Sequence, residues 1–159
     1  MDYRIGFGID SHAFSKERKK LVLGGVVFEK ENGLKAHSDG DVVLHALFNA
    51  ISSALGKRSI GYYFPDSKPE FKGMASERFI EKALVLMKEK NFKLNNVSVM
   101  IECRKPKIEP KVMAIKKNLA RMLGLNEERI GIQATSGEGL TAFGKGKGIQ
   151  ASCTVSIIK

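Results

Sequence analysis

Apolar and polar positions alternate over residues 4–10, placing Ile5, Phe7 and Ile9 on one face of an extended chain and predicting a β-strand. A second extended stretch, 20–28, is interrupted by Gly24-Gly25 and reads as one or two short strands bent there. The period then changes. Over 39–55 the residues Val42, Val43, Leu47, Ala50, Ile51 and Ala54 recur at helical spacing, and Gly56 follows where a left-handed C-terminal residue belongs. Residues 61–73, with Pro65 and Pro69, carry no period and are predicted as a loop. A second helix is predicted over 75–90, then a strand over 94–104 with Val97, Val99, Ile101 and Cys103 on one side. Pro110 suits the first turn of a third helix that runs to Leu123 and stops at Gly124. Strands over 129–135 and 149–158 flank a glycine-rich segment, 136–148. Helices and strands alternate, with strands adjacent at each end, which predicts an α+β fold built on a mixed sheet with helices on one face. No linker, low-complexity run or internal repeat divides residues 1–159, so they are expected to form a single domain.

Composition narrows the class. A hydrophobic fraction of 43% with 28% charged residues is globular and disfavours a disordered or fibrous protein. No apolar run approaches the ~18 residues of a spanning helix. Met1-Asp2-Tyr3-Arg4-Ile5 passes straight into the strand pattern with no signal-peptide organisation, so a cytoplasmic protein off the membrane is expected. Cys103 and Cys153 form no CxxC pair and read as small buried strand residues of a reduced protein. Lys+Arg 27 against Asp+Glu 17 leaves a net charge of +10, which points to an anionic partner without saying which kind.

All 3 histidines, His12, His37 and His45, fall in the first 45 residues, each beside carboxylates: Asp10-Ser11-His12, then His37-Ser38-Asp39-Gly40-Asp41, then His45. Residues i and i+2 of a strand point the same way, so Asp10 and His12 present an oxygen and an imidazole side by side. His45, one turn into the first helix, meets them if strand end and helix start are neighbours. Asp with two His is a ligand set that Zn²⁺ accepts with a position left for substrate. Against this, Asp-x-His is common, a lone helical His is more often packed or capping, and Asp39 and Asp41 can serve the helix dipole alone. Ala134-Thr135-Ser136-Gly137-Glu138-Gly139-Leu140 offers hydroxyls and backbone N–H groups for an anion nest, with Glu138 placed for Mg²⁺. A ligand-free turn is the alternative. Gly144-Lys145-Gly146-Lys147-Gly148 lacks Walker spacing. Arg104-Lys105-Pro106-Lys107 makes a cationic strand end, whereas Lys111, Lys116, Lys117 and the cluster Lys16, Arg18, Lys19, Lys20 read as solvated faces.

Together these motifs resemble one family. Gly8-Ile9-Asp10-Ser11-His12-Ala13-Phe14 and Ala36-His37-Ser38-Asp39-Gly40-Asp41-Val42-Val43-Leu44-His45-Ala46 resemble the signature of the 2-C-methyl-D-erythritol 2,4-cyclodiphosphate synthases. So do Ile60-Gly61, Phe64-Pro65-Asp66, Phe71-Lys72-Gly73, Pro106-Lys107, Ala134-Thr135 and Gly144 through Ile149, in order along essentially the whole chain. The resemblance implies a ferredoxin-like α+β subunit in a homotrimer with active sites between subunits, and the cyclisation of 4-diphosphocytidyl-2-C-methyl-D-erythritol 2-phosphate with release of CMP.

By the same resemblance Asp10, His12 and His45 hold Zn²⁺, and Glu138 with the diphosphate holds Mg²⁺ or Mn²⁺. His37, Thr135 and Lys107 take catalytic roles. Ser38, Ile60, Gly61, Asp66, Pro106, Lys107, Ala134, Thr135, Ser136 and Lys145 contact substrate or, for Lys145, an isoprenoid diphosphate at the trimer axis. The chain departs from the commoner pattern at Asn49 and Ser59, where many members carry Asp, at Lys68, at Lys145 in place of Arg, and at Ala142-Phe143, which shifts an aromatic by one position. Lysine keeps the charge there and loses the bidentate fork. A hydrolytic metal phosphodiesterase is the competing enzymatic reading. A basic RNA-binding protein is disfavoured, because aromatics are not interleaved with the basic runs.

Overall fold

The structure, a computed structural model, describes all of residues 1–159. Four strands form the main sheet: β1 (Tyr3–Ala13), β4 (Lys93–Glu102), β5 (Ile130–Thr135) and β6 (Gly148–Ile158), in the spatial order β1-β6-β4-β5. β6 is antiparallel to both β1 and β4, and β4 is parallel to β5. The C-terminal ends of β1, β4 and β5 therefore lie at one end of the sheet. β2 (Lys20–Leu23) and β3 (Val26–Asn32) form a separate hairpin turned by Gly24 and Gly25, both at positive φ. The helices are α1 (Val42–Ala54), α2 (Ile60–Tyr63), α3 (Glu77–Glu89) and α4 (Val112–Leu123). None is long and apolar enough to cross a membrane.

The mixed α+β sheet agrees with the sequence pattern, but its connectivity departs from the ferredoxin-like expectation. That motif runs β-α-β-β-α-β. Here the sheet strands follow β-α-β-α-β-β, with α1 and α3 before β4 and α4 between β4 and β5.

β1 turns the opposite way from an ordinary amphipathic strand. Its apolar row Tyr3, Ile5, Phe7 and Ile9 faces outward, 49–65% exposed, while Gly6 and Gly8 face α1. A Cβ at Gly6 would lie 2.0 Å from the Ala50 carbonyl oxygen, and one at Gly8 2.2 Å from that of Ala46. Strand and helix backbones thus meet along a seam of Gly6, Gly8, Ala46, Ala50 and Ala54. With the sheet below it and α3 against it, α1 is buried at 11 of its 13 residues, well beyond the stripe the sequence pattern marks. The core gathers 36 apolar residues, including Val97, Val99, Ile101, Cys103 and Cys153; both thiols are free.

The predicted loop over 61–73 contains two short ordered turns, α2 and a 3₁₀ turn at Pro69–Phe71. Phe64 packs there against Phe48, Phe71 and Phe79.

Candidate metal centre and adjoining cleft

Asp10 and His12 continue the inward row of Gly6 and Gly8, at the end of β1 that lies over the first turn of α1. That turn is fixed by Asp41. Its buried carboxylate caps α1 by accepting from the Val43 and Leu44 N–H groups, and it also accepts from Gly24 and Gly25 at 2.9 and 2.7 Å. Burial pushes the Asp41 carboxyl up to about 6, against the pull of these donors. One residue thus ties the β2–β3 turn to the start of α1 and settles where His45 stands.

His45 Nδ1 lies 3.0 Å from Asp10 Oδ2, as does His12 Nε2, and the two nitrogens are 3.4 Å apart. All three ligand atoms lie within 4.8 Å of one another. This is the juxtaposition that the i, i+2 spacing and the helical His require. Burial works to raise the Asp10 carboxyl, but hydrogen bonds to His12 and His45 hold it at about 2. On its far side His45 Nε2 lies 3.0 Å from both Ser38 Oγ and Ser76 Oγ. A cation taking the place of the proton between His45 Nδ1 and Asp10 would meet the Nδ1 lone pair if the ring proton sits on Nε2. Two electron-rich atoms in such contact suit a cation between them, so the donor set fits a divalent metal.

The triangle opens into a cleft of about 760 Å³ that is also lined by Lys35, Ala36, His37, Ser38, Ile60, Gly61, Phe64, Pro65, Asp66, Phe71 and Phe79. Eight of the residues singled out in the sequence therefore meet here: Asp10, His12, His45, His37, Ser38, Ile60, Gly61 and Asp66. His37 Nε2 is buried without any hydrogen-bond partner, an imidazole nitrogen ready for a ligand oxygen. Asn49 accepts from the Ile60 N–H at 2.8 Å, so it anchors α2 and through it one cleft wall.

The sequence reading missed Ser76, and it left Asp39 between a carboxylate of the site and a helix-dipole residue; the Asp39 carboxylate accepts from the Ser76 and Asp41 N–H groups. Lys19 does more than occupy a surface turn: its Nζ donates to the Ser38 carbonyl at 2.7 Å. Lys111 is likewise engaged, donating to the Val27 carbonyl over the Phe28 ring.

The second constellation lies elsewhere. Ala134, Thr135, Ser136 and Glu138 are exposed at the C-terminal end of β5, with exposed Lys107 beyond β4, buried Pro106 beside it, and exposed Lys145 in the glycine segment. β1 and β5 are opposite edges of the sheet, separated by three interstrand spacings, about 14 Å. Within one chain the two clusters share an end of the sheet but not a cavity. Nor is the turn an open nest, because the Gly137 and Glu138 N–H groups already donate to the Thr135 and Ser136 hydroxyls. Glu138 sits at φ 50°, in the left-handed region, and is exposed.

A model of the YgbB family matches residues 3–158. A 2-C-methyl-D-erythritol 2,4-cyclodiphosphate synthase from Aquifex aeolicus is 47% identical over 159 residues, spanning 100% of this chain and 99% of its own. Among solved structures, a CDP-bound 2C-methyl-D-erythritol-2,4-cyclodiphosphate synthase superposes with a TM-score of 0.89 at 37% identity, covering 98% of this chain and 100% of that one. The bifunctional IspDF from Campylobacter jejuni gives a TM-score of 0.92 at 35% identity, covering 98% of this chain and 42% of its own.

Proposed function

The chain belongs to the YgbB family of 2-C-methyl-D-erythritol 2,4-cyclodiphosphate synthases, and from that membership we propose how its cleft performs the reaction. Its activity is the synthesis of 2-C-methyl-D-erythritol 2,4-cyclodiphosphate in the non-mevalonate isoprenoid pathway. The substrate is 4-diphosphocytidyl-2-C-methyl-D-erythritol 2-phosphate, met in the cytoplasm. An oxygen of the 2-phosphate bonds to the β-phosphorus, the bond from that phosphorus to the bridging oxygen breaks, and CMP leaves with the electron pair. The nucleophile is already anionic at neutral pH, so no strong general base is needed. In-line placement and neutralisation of phosphoryl charge are what the protein must supply.

Asp10, His12 and His45 would hold Zn²⁺, and Glu138 with the substrate diphosphate would hold Mg²⁺ or Mn²⁺. When bound, such cations neutralise and polarise the phosphoryl oxygens. The convergence of Asp10 Oδ2, His12 Nε2 and His45 Nδ1 is the observation that carries this reading. His37 donates its unpartnered Nε2–H to a phosphate oxygen, and Ser38, on the same cleft wall, donates to phosphate or polyol. Ile60, Gly61 and Asp66 line the wall that takes the erythritol. Ser59, exposed at the start of α2, brings no carboxylate to that wall. Thr135 and Ser136 hold the α-phosphate, while Pro106, Lys107 and Ala134 frame the cytidine and Lys107 offsets charge on departing CMP. A relative's CDP-bound structure supports the nucleotide assignment.

Because the two half-sites occupy opposite sheet edges, the working site joins two chains. A homotrimer provides that, with the exposed row Tyr3, Ile5, Phe7 and Ile9 as the apolar surface available for burial. Lys145 is then the charge offered to an isoprenoid diphosphate at the axis. The single core running from Leu21 to Ile157 supports residues 1–159 as one domain.

Product analysis by ³¹P NMR tests the reaction. The expected outcome is the cyclic diphosphate with equimolar CMP, dependent on divalent metal. An open bisphosphate with CMP would overturn cyclisation in favour of water as the nucleophile.

A further inference from the structure

His45 is wedged between two different chemical surroundings. Nδ1 faces Asp10 and His12, and Nε2 faces Ser38 and Ser76. Ser76 belongs to no motif read from the sequence. It lies 31 positions beyond His45, immediately before α3, and is fully buried. Its hydroxyl touches Asp39 Oδ1, and its own N–H donates to Asp39 Oδ2 at 2.9 Å. Asp39 also accepts from the Asp41 N–H at 3.1 Å.

We infer that Ser76 and Asp39 are positioning residues, which fix the proton of His45 on Nε2 and so aim the Nδ1 lone pair into the metal site. The inference rests on the metal reading above. A carboxylate only accepts, so the Ser76 hydroxyl proton points at Asp39. That leaves Ser76 Oγ with lone pairs alone for His45, whose Nε2 must then be the donor. Ser38 Oγ, which accepts from the Gly40 N–H at 3.1 Å, keeps a second lone pair that can receive the same Nε2–H. The opposite tautomer would place an N–H where the metal must bind. The ring plane is held as well, by the Phe79 ring at 5.1 Å between centroids and 66°. The chain Asp39–Ser76–His45 is a carboxylate acting on a ligand imidazole through one hydroxyl, and it couples the start of α3 to a ligand on α1.

The test compares zinc affinity, by competition with a chromophoric chelator, and the visible spectrum of the Co²⁺-loaded protein. It uses the parent, Ser76→Ala and Asp39→Ala, each shown to be folded by circular dichroism. Ser76→Ala removes the acceptor, and Asp39→Ala frees the Ser76 hydroxyl to turn its proton toward His45 Nε2. Both variants are expected to bind zinc about 10–100-fold more weakly, with shifted Co²⁺ bands. A role in packing alone would change thermal stability and leave the spectrum of the loaded protein as it was. Parent-like affinity and spectra in either folded variant overturn the positioning role while leaving the metal site intact. A parent that binds no zinc overturns the metal reading, and this role with it.

Discussion

Asp10 and Asp41 are the same residue type, 31 positions apart, the first lining an open cleft and the second fully buried, and they do opposite work. Asp10 meets two imidazoles and is held ionised, at about 2, where the proposed cation would bind. Asp41 meets four backbone N–H groups and spends its carboxylate on architecture, which settles its role as the start of α1. Spacing alone could not separate these roles, because the donors on Gly24 and Gly25 reach Asp41 only after folding. Asp41→Ala leaves those N–H groups buried without an acceptor and is expected to cost about 3–5 kcal/mol. Asp41→Asn, which keeps one acceptor oxygen, should cost less. Urea denaturation measures both, and a change under about 1 kcal/mol for Asp41→Ala would contradict the assignment.

Elements with local signals were legible in advance. The cap and stop of α1, Asp41 and Gly56, stand within a few residues of where the period predicts them, and Gly124 ends α4 in the left-handed region. The orientation of β1 was not legible. A period of two says that Ile5, Phe7 and Ile9 share a face, but only the approach of α1 shows that the glycine face is the buried one. α2 escaped notice because four residues are too few to display a period, and aromatic packing around Phe64 with the Asn49 hydrogen bond holds the segment in place. Asn49→Ala should therefore loosen Ile60 and Gly61 and raise KM about tenfold, the equivalent of one hydrogen bond, with a smaller change in kcat. Asn49→Asp keeps the acceptor and should behave as the parent does. Steady-state CMP release decides the point, and an unchanged KM in Asn49→Ala would remove Asn49 from the account.

At the scale of the molecule, the net charge of +10 proves a poor guide to the chemistry. The cleft holds Asp10 and Asp66 against Lys35, Lys19 and Lys111 are tied to backbone carbonyls, and cations would set the local sign. The proposed shared site follows instead from strand order, which sequence patterns do not report because pairing between distant segments sets it. That order places the His/Asp triangle and the Glu138 turn on opposite edges of one sheet, so on the proposed reading each chain carries two unlike halves. The most direct measurement is CMP release by oligomers reassembled from His12→Ala and Glu138→Ala chains. Each variant alone should be inactive. A random equimolar mixture should recover up to about a quarter of the parent's sites, since only an intact triangle facing an intact Glu138 turn can work. A mixture that stays inactive, although mass spectrometry shows mixed oligomers, would contradict a site shared between chains.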